Sequence, residues 1–220
     1  MRIGLRDIPL FDAAFYFLRH GETESNVRGI VAGSTDVALT ELGHTQARTA
    51  ATALEPCGIT AIYTSNLRRA RDTADHVARV LRLPVHVIPE LAERNWGAIE
   101  GKPRSMRIPG VTPPGAEGPD QYAERILKGL ARIDSAGVPL IVAHSGVFRV
   151  LCRTLGVPEA DDPIHNARPI HCLPPETLHA AWRFEFIWEP ELPAGLATIA
   201  GESYRPSSTD SAPVADAEDS

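Results

Sequence analysis

The amino-acid sequence predicts an α/β fold, a three-layer sandwich in which a mostly parallel central sheet is flanked by helices. Short apolar segments alternate along the chain with longer segments whose apolar residues recur at helical spacing. This alternation is typical of parallel sheets that are covered by helices on both faces. The 220 residues are also enough for one domain with a full hydrophobic core. No internal repeat is visible, so a repeat architecture is not indicated.

The first three elements are a strand, a helix and a second strand. Residues 14–18 form an apolar, aromatic-rich run that is soon followed by a glycine, as in a buried strand that ends in a turn. A helix is predicted over residues 41–54, where Thr40 is available as the N-cap. Residues 61–64 form the next short apolar run, which predicts a second strand.

The middle of the chain continues the alternation. The helix predicted over residues 67–81 has one apolar stripe, which we expect to face the core. That stripe consists of Leu67, Ala70, Ala74, Val77, Ala78 and Leu81. A strand is predicted over residues 85–88, a helix over 121–133 and a further strand over 140–143.

The last predicted elements are a helix and a strand. The helix over residues 147–155 is followed by Gly156 and Pro158, two residue types that commonly terminate helices. Residues 182–188 alternate between apolar and polar side chains, as in a strand with one solvated face. Such a strand lies either at a sheet edge or in an interface, so a homodimer is possible.

Composition and charge restrict the expected partners and location. The net charge is −6 and the basic residues form no long run, so we expect no nucleic-acid partner. No apolar stretch approaches a membrane span, and residues 1–12 lack the apolar core of a signal peptide. We therefore expect a cytoplasmic protein with no membrane partner. We expect a single domain over residues 1–200 and a disordered tail over residues 201–220, which contain few large apolar groups.

Arg19 and His20 stand side by side directly after the first predicted strand. Open α/β sheets bind ligands at the carboxyl ends of their strands, so this pair lies where a ligand is expected. A cation that stays charged, next to an imidazole that can attack or donate, suits a phosphate. We expect Gly21 to let the backbone approach that ligand closely. The short motif alone is equally compatible with a chance occurrence.

Further segments, which follow in a defined order, favour a functional site over a chance occurrence of the motif. They cover residues 19–26, 33–43, 64–74, 91–101 and 141–146. In this order the set resembles the histidine phosphatase superfamily, the group that includes the cofactor-dependent phosphoglycerate mutases. The resemblance extends from about residue 15 to about residue 188. It implies the phosphoglycerate mutase-like form of the predicted fold.

The resemblance also implies roles for the matching residues. His20 is expected to attack phosphorus and form a phosphohistidine, which water or a second acceptor then resolves. The other residues implied to bind the phosphoryl group are Arg19, Arg69, His144, Asn26 and Ser34. The first three would neutralise charge in the transition state, and the last two would add neutral donors. Because fixed protein charges then do the work of a metal, neither a metal ion nor another cofactor is expected.

A carboxyl group is needed to protonate the leaving oxygen. Glu93 is the candidate, because a carboxyl beside a phosphate is pushed towards its protonated form and because the family spacing favours this glutamate. Glu100 is a rival by residue type alone. We expect Glu100 to be a hydrogen-bonded structural carboxylate near Trp96 and Gly97.

The sequence favours a phosphatase that acts on a small phosphorylated metabolite over a mutase. The stretch between Glu93 and His144 is short and contains a modest Pro-rich loop over residues 108–115. Its basic residues are Lys102, Arg104, Arg107 and Arg125. Family mutases have a longer insertion there with an adjacent arginine pair, which this chain lacks. Mutase activity is the alternative, because Arg94 and Trp96 resemble the mutase form of this segment and would contact a substrate carboxylate.

Overall fold

The computed structural model describes residue 4 and residues 7–134, 136–158, 164–177 and 180–187. In this part of the chain six strands form one sheet. In chain order they are β1 (Phe15–Arg19), β2 (Ala61–Thr64), β3 (Val85–Val87), β4 (Pro139–Ala143), β5 (Pro169–Leu173) and β6 (Arg183–Phe186). Across the sheet the order is β3-β2-β4-β1-β5-β6. The strands from β3 to β1 run parallel, whereas β5 and β6 are antiparallel to their neighbours.

The mostly parallel sheet is confirmed, but one of its central strands was not predicted. Strand β5 pairs with β1 on one side and with β6 on the other. It begins at Pro169, where a missing backbone N–H does least harm, and it carries His171 in its middle. Its sequence is neither a continuous apolar run nor an alternating one. Its place in the sheet therefore comes from its neighbours rather than from its own pattern.

Five α-helices lie in the described part of the chain. They are α1 (Glu24–Val27), α2 (Glu41–Leu54), α3 (Arg68–Leu81), α4 (Pro119–Leu130) and α5 (Ser145–Leu155). Thr40 is confirmed as the N-cap of α2, because its Oγ1 accepts from the Gly43 N–H at 3.0 Å. Helix α4 begins two residues before the predicted 121–133, since a proline is well suited to a first turn in which N–H groups have no helical partner. It also ends earlier than predicted, at Leu130.

The sheet is covered on both faces, as the sequence predicted. Successive side chains of a strand point to opposite faces, and β1 shows this directly. Phe15 and Phe17 pack in one core cluster with residues of α4 and α5, such as Ile126 and Leu151. Tyr16 and Leu18 belong to a second cluster that includes residues of α2 and α3. The result is the expected three-layer α/β sandwich.

Some predictions fall on residues that the structure does not describe. The tail over residues 201–220 and the end of the strand predicted over residues 182–188 lie outside the described residues. The described part of that predicted strand contains β6, which lies at the edge of the sheet. Among the described residues, no helix combines the length and the apolar character that a membrane crossing requires.

Candidate active site

Four basic side chains meet at the carboxyl ends of the parallel strands. Their exposed fractions are 8% for Arg19, 5% for His20, 1% for Arg69 and 0% for His144. The two imidazole rings lie 5.3 Å apart between centroids. The His20 N–H continues the β1–β4 pairing by donating to the Ala143 carbonyl at 2.9 Å. The structure thus brings together four of the six residues that the sequence predicted for phosphate binding and nucleophilic attack.

The hydrogen bond of His20 determines which ring nitrogen can react. Nδ1 lies 2.7 Å from the Gly21 carbonyl oxygen, which can only accept, so Nδ1 carries the hydrogen. Burial, together with Arg69 and Arg19, lowers the pKa of His20 well below its ordinary value. The neutral ring therefore keeps a lone pair on Nε2. That nitrogen is the one that can act as a nucleophile.

A short chain of hydrogen bonds orients His144. The Leu67 N–H donates to Ser65 Oγ at 3.3 Å, and this oxygen lies 2.8 Å from Nε2 of His144. Burial and Arg69 lower the pKa of His144 well below its ordinary value, so the ring is neutral. This geometry allows the Ser65 hydroxyl to donate to Nε2, and in that tautomer the ring hydrogen is on Nδ1. This buried Nδ1 has no hydrogen-bond partner among the described residues and can donate to a phosphoryl oxygen.

Backbone carbonyls hold the two buried arginines. Arg69 donates from Nη1 to Thr35 O at 2.9 Å and from Nη2 to Gly33 O at 2.8 Å. Arg19 donates from Nη1 to Ile164 O at 2.5 Å, while its buried Nε lacks a partner within the described chain. Burial, and then the charge of nearby Arg104, lower the pKa of Arg19 to about 10. Both groups are therefore cationic at neutral pH and fixed in direction before a ligand arrives.

Gly21 has a different reason to be glycine from the one predicted. A Cβ on Gly21 would lie 2.5 Å from the carbonyl oxygen of Gly43, which is the backbone of α2 and not a ligand. The Gly21 N–H donates to Thr73 Oγ1 at 3.0 Å, and Thr73 in turn donates to the Arg69 carbonyl at 2.7 Å. The glycine thus lets the turn after β1 pack tightly against α2 and α3. The expected approach to a ligand is not the contact that the structure shows.

Glu93 faces the same crevice and is held by three donors. Its Oε1 accepts from the Arg94 N–H at 2.8 Å and from the Tyr122 hydroxyl at 3.0 Å. Its Oε2 accepts from the Gly146 N–H at 3.0 Å. A Cβ on Gly146 would lie 2.1 Å from Oε1, so only glycine leaves room for the carboxylate. Oε2 has the fewer donors and is the oxygen with room for a proton.

Glu100 is confirmed as a structural carboxylate. It accepts from Ser34 N at 2.7 Å, Ser34 Oγ at 2.9 Å, Thr35 Oγ1 at 2.7 Å and Trp96 N at 3.0 Å. Burial alone would raise the pKa of this carboxyl, but the hydrogen bonds outweigh burial and lower it. Glu100 therefore anchors the segment whose carbonyls orient Arg69.

The two predicted neutral donors are already engaged. Ser34 Oγ donates its hydrogen to Glu100, so in this arrangement it does not donate to a phosphoryl group as predicted. Asn26 Oδ1 accepts from the N–H and the hydroxyl of Thr23, at 3.1 Å and 3.0 Å, in the capping box of α1. Asn166 Nδ2 also donates to Asn26 Oδ1, at 3.2 Å. Only the amide nitrogen of Asn26 is left for the predicted role.

A cavity of about 520 Å³ extends outward from Glu93 and Gly146. Arg94 and Trp96, predicted to bind substrate, both line it, and so does Arg107. Arg125, which could not be separated from the other basic residues by sequence, has a structural role instead. It donates to the Glu117 carboxylate at 2.8 Å and to the carbonyls of residues 90 and 92.

Sequence reasoning missed the roles of Ser65 and Asn166 in the site. Ser65 orients His144, and Asn166 donates to the His20 carbonyl at 2.9 Å. Of these two, Ser65 had a usable signal, because it directly follows a predicted strand. Tyr122 donates to Glu93 and lines the cavity, and Arg104, one of the basic residues between Glu93 and His144, contributes positive charge at Arg19 and His20. Within the described chain, no group of three or more His, Cys, Asp or Glu residues is arranged to hold a metal ion.

Comparisons with known proteins show that this chain is similar to several phosphatases. The chain is 33% identical over 144 residues to the uncharacterized phosphatase PhoE of Bacillus subtilis, and this match covers 63% of this chain and 75% of that protein. It is 32% identical over 163 residues to the adenosylcobalamin/alpha-ribazole phosphatase of Salmonella typhimurium, and the match covers 66% of this chain and 81% of that protein. A mycobacterial glucosyl-3-phosphoglycerate phosphatase solved with VO3 superposes with a TM-score of 0.66 at 28% identity, covering 79% of this chain and 98% of that one.

A family model also matches the chain. The model of the histidine phosphatase superfamily (branch 1) matches residues 15–167. This range contains β1 through α5, and with them Arg19, His20, Arg69, Glu93 and His144. The match covers more than half of the 220 residues. The protein therefore belongs to branch 1 of the histidine phosphatase superfamily.

Proposed function

We propose that the protein hydrolyses a small phosphomonoester through a phosphohistidine on His20, without a divalent metal ion. The observation that carries this proposal is the state of the His20 ring. The ring is buried and neutral, and its Nδ1 hydrogen bonds to the Gly21 carbonyl, which leaves the Nε2 lone pair beside two guanidinium groups. A neutral imidazole nitrogen in a cationic, preorganised site is suited to attack phosphorus.

In the first half-reaction, Nε2 of His20 attacks phosphorus while the bond from phosphorus to the ester oxygen breaks. Arg19, Arg69 and the Nδ1 hydrogen of His144 stabilise the negative charge on the three equatorial oxygens. The protonated Glu93 carboxyl gives its proton to the departing oxygen, which leaves as an alcohol. The products of this step are the free alcohol and a phosphohistidine.

In the second half-reaction, water replaces the alcohol. The Glu93 carboxylate accepts a proton from the water, whose oxygen attacks phosphorus as the bond to Nε2 breaks. Inorganic phosphate leaves and His20 returns to its neutral form. The bonds from Arg94, Tyr122 and Gly146 support this double role of Glu93, because they hold its carboxyl group in one place in both steps.

The substrate class we propose is a small phosphorylated metabolite in the cytoplasm. A cavity of about 520 Å³ beside the buried basic cluster has the volume of a typical small-molecule site. The names of two of the relatives specify phosphorylated small molecules as their substrates. Neither a nucleic acid nor a membrane is part of the proposal, and a homodimer remains compatible with it.

Phosphoryl transfer of the phosphoglycerate mutase type is the alternative. The observation that favours it is the position of Arg94 and Trp96, which line the cavity next to Glu93. They belong to a segment that resembles the mutase form, with Trp96 in place of the family tyrosine. A mutase must retain a phosphorylated acid while its phosphoryl group returns to another oxygen. Hydrolysis is favoured over transfer because the loop beside the cavity is short and exposed, with Ile108 62% and Val111 52% exposed.

Phosphorus NMR of the purified protein with EDTA distinguishes these functions. The sample contains 3-phosphoglycerate and a trace of 2,3-bisphosphoglycerate, and a second sample contains p-nitrophenyl phosphate. We expect inorganic phosphate in both samples, whereas formation of 2-phosphoglycerate would establish the mutase alternative. Loss of activity with EDTA would contradict the metal-independent mechanism. Absence of turnover in both samples and with a wider panel of phosphomonoesters would contradict the proposed function.

A further inference from the structure

Two histidines from neighbouring helices meet outside the catalytic crevice. His44 lies in the first turn of α2, and His76 lies in α3. Nδ1 of His44 is 3.1 Å from Nε2 of His76, and the ring centroids are 5.4 Å apart. Both side chains are half-buried. We call these two side chains the histidine pair, and the reaction proposed for His20 makes no use of it.

The distance between the two facing nitrogens suits a shared metal ion. Two nitrogens that each bind one ion at about 2.0–2.1 Å, with an angle of about 90–110° between the bonds, lie about 2.9–3.4 Å apart. The 3.1 Å between His44 and His76 is within this range. In the absence of an ion, one ring donates its hydrogen to the lone pair of the other.

A change of tautomer would free both facing lone pairs. The hydrogen between the two rings would move through solvent to the far nitrogen of its own ring, and each ring would turn its lone pair towards the ion. Within the described residues, the far nitrogens of His44 and His76 make no hydrogen bond that would resist this change. The pair can therefore exchange a hydrogen bond for two metal bonds without a change in net protonation.

The charges around the pair are mixed. Burial lowers the pKa of His76, and the neighbouring His44 lowers it further. Arg79 and Arg48 add to this lowering of the pKa, whereas Asp72 opposes it. The His76 ring is therefore neutral at pH 7, as a metal ligand must be. Arg79 and Arg48 repel a cation, but both are exposed, so water and salt screen them.

The pair lies where α2 and α3 support the turn after β1. His44 directly follows Gly43, whose carbonyl oxygen is the atom closest to a Cβ added at Gly21. His76 is one turn after Thr73, which accepts from the Gly21 N–H at 3.0 Å. The two histidines are 32 residues apart in the chain, so an ion held by both would bind the folded protein much better than the unfolded one. Such an ion would stabilise the contact between the two helices.

We propose that the histidine pair binds one divalent ion of the class that prefers imidazole ligands, such as Zn²⁺, with water completing the coordination. The donors select this class, because imidazole suits zinc, copper and nickel, whereas Mg²⁺ and Ca²⁺ prefer oxygen. In the part of the chain that the structure describes, no third His, Cys, Asp or Glu completes a ligand group. The site is therefore an exchangeable one that stabilises the fold, and its ion takes no part in the reaction at His20.

Unfolding in the presence of Zn²⁺ tests this site. The full chain is treated with EDTA, dialysed, and unfolded by heat with and without ZnCl₂ at about 100 µM. We expect Zn²⁺ to raise the Tm of the wild type by about 2–4 °C, and MgCl₂ at the same concentration to leave it unchanged. Calorimetric titration with ZnCl₂ should show a binding event that is missing in His76→Gln and in His44→Gln.

Matched variants separate the pair from other histidines. His76→Gln and His44→Gln should both lose the rise in Tm caused by Zn²⁺, and His86→Gln, which removes an exposed histidine of β3, should keep it. If one of the two pair variants does not fold, the other decides the test. No rise in the wild type, an equal rise with Mg²⁺, or the wild-type rise in a pair variant would overturn the inference. Neither measurement needs turnover, so this inference and the proposed hydrolase function can fail separately.

Discussion

The buried phosphate site and the edge of the cavity each contain an arginine, and the two arginines are held in different ways. Arg69 is 1% exposed, and two backbone carbonyls hold its guanidinium in one direction. Arg107 is held by stacking on Trp96 and comes from a loop whose residues Ile108 and Val111 are 62% and 52% exposed. One cation is built into the core of the fold, whereas the other lies at its periphery.

This difference separates chemistry from selectivity. Groups that stabilise a transition state must be oriented before the reaction, which favours burial and hydrogen bonds to the backbone. Groups that select a leaving group can come from a loop, because a change there leaves the sheet and its reactive residues in place. Changes to the phosphate site should therefore abolish turnover, and changes further out should alter rate, stability or pH dependence by smaller amounts.

Replacement of the nucleophile should give the largest effect. In His20→Ala we expect kcat to fall by at least about 10⁴-fold, because the variant lacks the imidazole nitrogen that attacks phosphorus. Acid-labile phosphorylation of the protein should disappear together with turnover, as measured by rapid quench with a radiolabelled phosphoester. His86→Ala, which removes an exposed histidine of β3, is the matched control. Turnover that persists in His20→Ala would assign the nucleophile to another residue.

Displacement of the acid should have the second largest effect. In Gly146→Ala the new Cβ would lie 2.1 Å from Glu93 Oε1, so the carboxylate has to move away from its donors. We expect kcat to fall by about 10²-fold, since a small displacement of a catalytic group is costly. At Gly118 an added Cβ meets nothing within 4 Å, so Gly118→Ala should retain activity. Equal rates in the two variants would argue against Glu93 as the general acid.

Loss of the Glu100 charge tests a carboxylate that contacts both the segment beside Arg69 and the backbone of Trp96 at the cavity. Glu100 accepts four hydrogen bonds and holds the segment that orients Arg69. In Glu100→Gln we expect the free energy of unfolding to fall by about 1–3 kcal/mol, with a moderate loss of kcat. Urea denaturation and steady-state kinetics measure the two effects. The exposed Glu55→Gln is the control, and a similar result in both variants would mean that the Glu100 contacts do not matter.

The smallest expected effect is on the pH dependence of stability. Burial and neighbouring arginines hold the pKa of His20 and of His144 well below the ordinary value. Both rings therefore stay unprotonated in the folded protein at pH values at which they take up protons in the unfolded chain. The free energy of unfolding should therefore decrease as pH falls below about 6.5. In His20→Asn the loss of unfolding free energy from pH 6.5 to 5.5 should be smaller by about 1 kcal/mol, because the unfolded-state histidine is only partly protonated at pH 6.5. Urea denaturation of the wild type and of His20→Asn between pH 6.5 and 5.5 measures this pH dependence. The same dependence in both proteins would contradict this account.

Much of the fold could be predicted because its patterns are local. The apolar run of β1, the stripe of α3 and the Thr40 cap of α2 each depend on residues that are close in the chain. Strand β5 could not be predicted in this way, because its burial comes from β1 and β6 on its two sides. The same distinction applies to Gly21. Its need for glycine was predictable, but the contact with Gly43 that explains it was not.

The residues of the candidate site also separate into those that could be predicted from the sequence and those that could not. Arg19, His20, Arg69, Glu93 and His144 were identified from motifs that resemble the family, and position after a predicted strand supported Arg19, His20 and His144. The sequence could not tell Arg107 from Arg125, which differ only in what surrounds them after folding. Arg125 meets Glu117 and two carbonyls, while Arg107 meets an indole and a cavity.

By itself, the sequence determined the fold class, the family and the reactive side chains, because periodicity and motif order are properties of the linear chain. Only the tertiary structure decided which donors hold Glu100 and Glu93, and that Ser34 is already engaged. Those outcomes depend on hydrogen bonds between distant residues, such as the 66-residue separation of Ser34 and Glu100 or the 36-residue separation of Gly33 and Arg69. A side chain's partner is set by packing in three dimensions, and residue type alone does not contain that information.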